Sequence, residues 1–368
     1  MSDTQQLTPG THIGKYELQK IIDSGLVGAV WKARHTVIDS NVAIKVVKKS
    51  LINNPLRKER LDREIFLFQK FRHPFIAESY EVIEDENYYY LVMEFIENGM
   101  LYNVIYSQKT LSEFVARHYF EELIIVLEYL HNEEKVAHRD LKCENILIDE
   151  NFNIKVIDFG LSNIFSETNP RFSDACGTLH YVAPEILRGE SYNESCDIWS
   201  LGVILYAMTV GYLPFDGDSK QEVSQEILYL EPEYPISLTS CLADLLSQLL
   251  CKNPIYRITL EKIKDHPWFS MSEYRNLKQK SINFLNSQII PGNDFIIDNE
   301  ILQKINSFNP NINADSLYNS LFSGKSDENT IIYRILAHEK LAQSMKIPNE
   351  PIPNNQFQIT NFFKIFSK

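Results

Sequence analysis

The hydrophobic period shifts from mostly strand-like to mostly helical at Ser112, and this constrains the fold more than any other feature. Before it, "YELQKII", "AVWKARH", "NVAIKVV" and "YYYLVMEF" have the alternation and β-rich composition of strands. One stretch among them, "PLRKERLDREIFLFQKF", has helical spacing at Leu61, Ile65 and Phe68. After it helices dominate, starting with "SEFVARHYFEELIIVLEYLH", which opens on a Ser cap and carries an apolar face. A small sheet-rich part followed by a larger helical part implies an α+β chain of two lobes. Clefts between lobes are favoured ligand sites. Beyond "HPWF" the chain turns rich in Asn, Ile and Ser. Helical spacing recurs at Ile301, Leu302 and Ile305, near Leu317 and Leu321, and at Ile331, Ile332 and Ile335, the pattern of a compact bundle of short helices.

Composition serves mainly to exclude. The 368 residues can bury at least one large core. A net charge of −13 argues against nucleic acid as a partner, because such proteins need a basic footprint. The apolar run "LIIVLEYL" is broken by Glu128 and falls far short of the ~18 residues a membrane span needs. "MSDTQQLTPG" has no basic region leading into an apolar core, and "KIFSK" has no lipidation cysteine, so a membrane role is not expected. Cys143, Cys176, Cys196, Cys241 and Cys251 form no C-x-x-C pair, which suits reduced thiols in a cytoplasmic or nuclear protein.

"IIDSGLVGAV" nearly forms a glycine-rich phosphate loop, G-x-G-x-x-G-x-V. Gly25 and Gly28 take the second and third glycine places and Val30 closes the frame, but Asp23 stands where the first glycine belongs. The hairpin would offer Ile22, Asp23, Ser24, Gly25, Leu26, Val27, Gly28, Ala29 and Val30 to a nucleotide. Lys45, ending "VAIK" on the next strand, can reach α- and β-phosphates, and Glu64 in the following helix can hold it.

Three further stretches follow in order: "HRDLKCENIL", "DFG" and "APE". With them the chain resembles a eukaryotic Ser/Thr protein kinase from about Tyr16 to Phe269, with a small β-rich N-lobe and a large helical C-lobe. The resemblance implies ATP and Mg²⁺ as cofactors and Ser or Thr of proteins as acceptors. It makes Asp140 and Lys142 catalytic, the first orienting the acceptor hydroxyl and the second neutralising the γ-phosphate. Asn145 and Asp158 become Mg²⁺ ligands. Ile22, Val30, Ala43, Met93, Leu147 and Ile157 form the adenine slot, with the backbone of Glu94 and Ile96 along its edge. The first glycine mostly eases a turn, whereas the second and third let the backbone approach phosphate, so Asp23 adjusts the site rather than disabling it.

"DFGLSN", "CGTLHYVAPEIL", "DIWSLGVILY" and "HPWF" are similar to the calmodulin-dependent kinase group, nearest its AMP-activated and sucrose-nonfermenting branch. That branch carries a small, often autoinhibitory, ubiquitin-associated-like module after the kinase domain. The implied organisation is a leader at 1–15, a kinase domain at 16–269, a linker at 270–294, a helical module at 295–345 and a tail at 346–368. Regulatory subunits are further implied partners. Several departures stand out: Met100 replaces a glutamate after the hinge, Ser79 replaces an apolar residue on the fourth main strand, and Cys143 replaces proline before "EN". Glu144 suits a basic residue upstream of the acceptor, and Leu179, Val182 and Ala175 suit an apolar one just after it. Asp174 stands where relatives have a phosphorylatable threonine, next to Ser173, and Arg139 and Arg60 are its expected partners. Two rival readings remain beside an active kinase: a pseudokinase scaffold, and a catalytic subunit working inside a larger complex.

Overall fold

The computed structural model describes residues 7–25, 28–52, 54–165, 171–174, 176–270, 274–287, 297–310, 312–323 and 327–344. The first lobe is a six-stranded antiparallel sheet. Its strands are β1 (His12–Ile13), β2 (Tyr16–Ser24), β3 (Gly28–His35), β4 (Asn41–Lys48), β5 (Ser79–Glu84) and β6 (Tyr88–Glu94), in the order β1-β2-β3-β4-β6-β5. The glycine stretch joins β2 to β3 as a hairpin. Helix α1 (Pro55–Lys70) crosses between β4 and β5; Asn54 caps it by accepting from the Arg57 N–H, and Pro55 suits its first turn. β1 lies within the expected leader, where Ile13 is buried against the sheet.

Asn98 and Met100 lead from this sheet into the second lobe through α2 (Leu101–Gln108) and α3 (Glu113–Glu128). Ser112 caps α3 as expected. Short strands β7 (Val136–Ala137), β8 (Ile146–Ile148), β9 (Ile154–Val156) and β10 (Asn163–Ile164) pair β8 with β9 and β10 with β7. They carry the motif residues at their connections. Helices α4 (Pro184–Leu187), α5 (Ser195–Val210), α6 (Lys220–Tyr229), α7 (Ser240–Leu249), α8 (Leu260–Asp265) and α9 (Pro267–Ser270) complete the lobe. α5 is apolar all round and buried along nearly its whole length, the mark of a central core helix.

Residues 270–294 were expected to be a linker, but the structure has α10 (Tyr274–Ser287) there. Its Tyr274 and Leu277 are buried, and Tyr274 and Lys278 both bond the Glu128 carboxylate at the end of α3. The last elements are α11 (Asn299–Phe308), α12 (Ala314–Phe322) and α13 (Glu328–Ser344), the short-helix bundle read from the sequence. They share one apolar core with the sheet: Ile301, Ile305, Leu317, Ile331 and Ile335 pack with Tyr16, Leu18, Trp31, Ile44 and Val92. The tail at 346–368 lies outside the described residues.

Candidate active site

A cleft of about 400 Å³ opens between the lobes. Its roof is the β2–β3 hairpin, through Ile22, Asp23, Ser24, Gly25, Gly28, Ala29 and Val30. Leu26 and Val27 lie outside the described residues. Ala43, Met93, Ile96, Leu147 and Ile157 supply the apolar walls, and Lys45, Glu64, Lys142, Asn145 and Asp158 the polar inner end. The Glu94 N–H is bonded to the Glu78 carbonyl at 2.9 Å, so its share of a base edge falls to its carbonyl. Met100 lines the cleft, whereas Glu97 is exposed and outside the lining.

Gly28 is needed for a reason other than the one read from the sequence. A Cβ there would lie 1.7 Å from the Val46 carbonyl oxygen of β4, so the glycine is demanded by the neighbouring strand rather than by a phosphate. A Cβ on Gly25 meets open space.

At the inner end Lys45 Nζ lies 2.5 Å from Glu64 and 3.4 Å from Asp158. Burial alone would favour the neutral amine, but the Asp158 and Glu64 carboxylates outweigh it and hold the lysine pKa above its ordinary value. The Lys45 charge in turn holds Asp158 below the usual carboxylate range, against its burial. Asp158 has a φ of 62°, a left-handed conformation that only close packing maintains. Gly160 permits it: a Cβ there would sit 3.1 Å from Asp158 Oδ1 and 3.2 Å from Glu64 Oε2. Phe159 packs on Phe71, just after α1, and on His138, with ring centroids 4.8 and 5.0 Å apart.

Asp140 lies beside this end. Its Oδ1 accepts from the Thr178 N–H at 2.8 Å and from the Thr178 hydroxyl at 2.9 Å. Its Oδ2 lies 3.0 Å from Lys142 Nζ, which also donates to Thr178 Oγ1 at 2.7 Å. Asn145 donates its amide to the Asp140 carbonyl at 2.9 Å, which leaves its side-chain oxygen for another partner. Asn145 and Asp158 thus offer hard oxygen donors, a set that fits Mg²⁺.

The loop carrying Asp140 is pinned from below by Asp197, whose carboxylate accepts the backbone N–H of His138 and of Arg139, each at 2.8 Å, and meets His131 at 2.8 Å. Burial would protonate it, but the bonded His131 and nearby His138 hold it ionised. Asp197 sits in "DIWSLG", so its motif was visible while its role was not. Glu185 of "APE" forms a fully buried two-pronged pair with Arg257, both bonds 2.8 Å.

The activation segment is held at Asp174, whose Oδ1 accepts from Arg139 Nη1 at 2.6 Å. The Tyr192 hydroxyl donates to the Asp174 carbonyl at 2.8 Å, and the same Arg139 nitrogen donates to that hydroxyl at 3.0 Å. Arg60, the other expected partner, makes no ion pair with Asp174 and acts on it only through its field. Ser173 is exposed. Ala175 lies outside the described residues, while Val182 is buried and Leu179 half-buried.

Such a site defines a phosphotransferase: an anchored lysine for phosphates, hard oxygens for a cation, and a carboxylate placed for a hydroxyl acceptor. The family profile described as "Protein kinase domain" matches residues 16–269, and the chain belongs to that family. It is 34% identical over 94% of its length to the SNF1-related protein kinase catalytic subunit alpha KIN12 of Arabidopsis thaliana, of which it covers 68%. It is 32% identical over 94% of its length to the serine/threonine-protein kinase SIK2 of Gallus gallus and 37% identical over 72% to the carbon catabolite-derepressing protein kinase of Saccharomyces cerevisiae. It covers 42% of each of these two. The family and these relatives support a Ser/Thr protein kinase of the SNF1-like branch rather than a pseudokinase.

Proposed function

We propose that the chain binds ATP with Mg²⁺ in the interlobe cleft and transfers the γ-phosphoryl group to Ser or Thr side chains of protein substrates. The observation that carries this is the simultaneous assembly of two groups: Lys45–Glu64–Asp158 for the nucleotide, and Asp140–Lys142–Thr178 for the acceptor. In the transfer a bond forms from the acceptor oxygen to the γ-phosphorus and the bond to the β,γ-bridging oxygen breaks. Asp140 orients the hydroxyl and takes its proton, and Lys142 faces the oxygens on which charge gathers. Mg²⁺ held by Asn145 and Asp158 would neutralise phosphate charge. Thr178, bonded to both Asp140 and Lys142, narrows the acceptor position and suits an aliphatic hydroxyl.

Phosphotransfer from ATP to a degenerate peptide library tests this directly. The expected result is labelling of Ser and Thr peptides and none of Tyr peptides; exclusive Tyr labelling, or none, would overturn it. A second reading is that the chain acts as the catalytic member of an assembly. The Arabidopsis relative is itself named a catalytic subunit, which favours it. Five cysteines, none in a disulfide, suit a reducing compartment such as cytoplasm or nucleus.

A further inference from the structure

Behind the cleft, away from the nucleotide face, a buried ionic chain joins the C-terminal helices to the end of α1. It starts at Arg334 on α13. One guanidinium nitrogen donates to Glu78 Oε1 at 2.7 Å and to the Ser79 carbonyl, and the other to the Tyr80 carbonyl at 2.9 Å. Glu78, 3% exposed, also faces Arg72 Nε at 3.3 Å. Arg72, two residues beyond α1, donates from Nη1 to Ser79 Oγ at 2.9 Å and to the Phe71 carbonyl at 2.6 Å. Phe71 is the residue whose ring packs on Phe159 of "DFG".

This arrangement is costlier than apolar packing. Burial penalises the Glu78 carboxylate, but the charges of Arg72, Arg334 and His338 and the Arg334 hydrogen bond prevail and hold it below the usual carboxylate range. The helices already share a large apolar core with the sheet, so adhesion does not require the ions. What ions add to such a contact is a fixed geometry. Ser79 explains why geometry is needed here. Leu61, Ile65 and Phe68 on α1 share an apolar cluster with Val82 further along β5, while at the start of that strand, where the kinase resemblance implies an apolar side chain, Ser79 presents a hydroxyl bonded to Arg72. Arg72 fills that place, and Glu78 and Arg334 hold Arg72.

We propose that Arg334 is a positioning residue for phosphoryl transfer: through Glu78 and Arg72 the C-terminal helices set the α1–β5 junction, and with it Glu64 against Lys45 and Phe71 against Phe159. The inference rests on the kinase reading above. It reverses the expectation of an autoinhibitory module, because the helices are docked while the Lys45–Glu64 pair is closed and Phe159 is seated. In this chain the module completes the site.

The test uses the full chain carrying R334Q, R334K or the double change E78Q/R334Q. Steady-state kcat and KM are measured with ATP and peptide, together with hydrogen exchange over residues 55–70 and the thermal midpoint. R334Q is expected to lower kcat roughly ten- to a hundred-fold, since small misplacements remote from the chemistry cost that much, with KM for peptide unchanged. Exchange along α1 should quicken, and R334K should recover part of both. The double change removes the buried carboxylate that R334Q would leave with Arg72 alone, so its midpoint should return towards wild type while kcat stays low. Recovery of kcat together with the midpoint would mean that Arg334 matters only for stability, and the proposal would fail. Unchanged or raised activity in R334Q with unaltered exchange would also overturn it. Wild type that transfers no phosphate would defeat the kinase reading instead, and the exchange measurement would still decide whether Arg334 positions α1.

Discussion

Two carboxylates stand where a kinase-like chain would carry something else, Asp23 in the small lobe and Asp174 in the large one, and the structure treats them in opposite ways. Asp23 is exposed at the end of β2, and its bond is to the N–H of the very next residue, Ser24, at 2.8 Å. Such an Asp–backbone contact is local, and among the described residues the Asp23 side chain makes no bond across the fold. Asp174 is also half open to solvent, but its partner Arg139 has a side chain only 2% exposed and belongs to the catalytic loop. A hydrogen bond to a charged group contributes about 1.5–3 kcal/mol, and the lower end applies to a half-exposed acid. The group is the same; what differs is whether its partner is local or lies across the fold. Only the second can hold a segment in place.

The sharpest contrast uses a third carboxylate as reference. Asp140→Ala should lower kcat by at least about a hundred-fold, the usual scale of a lost general base, while nucleotide affinity measured by titration is retained. If affinity fell with it, the separation between the nucleotide and acceptor groups would be wrong. Asp174→Asn comes next. It keeps the shape and removes the charge that meets Arg139, and kcat should fall about ten-fold. Ser173→Ala and phosphatase treatment should leave wild-type activity unchanged; loss of activity in both would move the regulatory role to Ser173. Acid gives a further check on Asp174. Burial works against its ionised form, but the Arg139 bond and charge prevail and hold its carboxyl below the usual range. The ionic hold is therefore complete above that range and is lost only as pH falls through the depressed value. A phosphate, by contrast, loses its second charge near pH 6, roughly. Activity between about pH 7.5 and 5.5 should show no step from the activation segment, and a step that disappears in Asp174→Asn would contradict this.

The sequence revealed this site unevenly, for physical reasons. Lys45, Asp140, Asn145 and Asp158 were legible through the ordered motifs that carry the kinase resemblance; in the structure Lys45, Asn145 and Asp158 line the cleft and Asp140 lies beside it, 3.3 Å from the Asn145 amide. Gly28 was legible as a requirement, but its cause was hidden: its neighbour is Val46, eighteen places away and fixed only by strand pairing. Ser79 looked like a loosened contact. Its support comes from Arg72 and, 255 residues along the chain, Arg334, and no local pattern announces such a meeting. Asp197 was visible in its motif, yet that it bonds the catalytic loop depends on α5 passing beneath it. Helix α10 was missed because, among the described residues, its buried apolar side chains are only Tyr274 and Leu277, and its other holds, on Glu128 and through Ser281 on His73, are polar and long-range.

The smallest expected effect is at Asp23, where the comparison is most easily broken. Asp23 is exposed and lines the cleft, and among the described residues its side chain is bonded to the Ser24 N–H and not to Lys45. Its influence on a nucleotide is then a screened repulsion at the surface, about 1 kcal/mol or less. Asp23→Gly should lower KM for ATP a few-fold at most and leave kcat alone, because the repulsion acts alike on bound substrate and transition state. Two forces oppose here, since the added glycine also loosens the end of β2 and costs some order. Salt separates them. Repulsion fades as the Debye length shrinks from about 10 Å at 0.1 M towards 3 Å at 1 M, whereas backbone freedom does not respond. The gain in KM should therefore shrink as salt is raised. A gain that persists at high salt would assign the effect to the backbone, and a variant that switches on an otherwise silent enzyme would show that Asp23 is coupled to the chemistry after all.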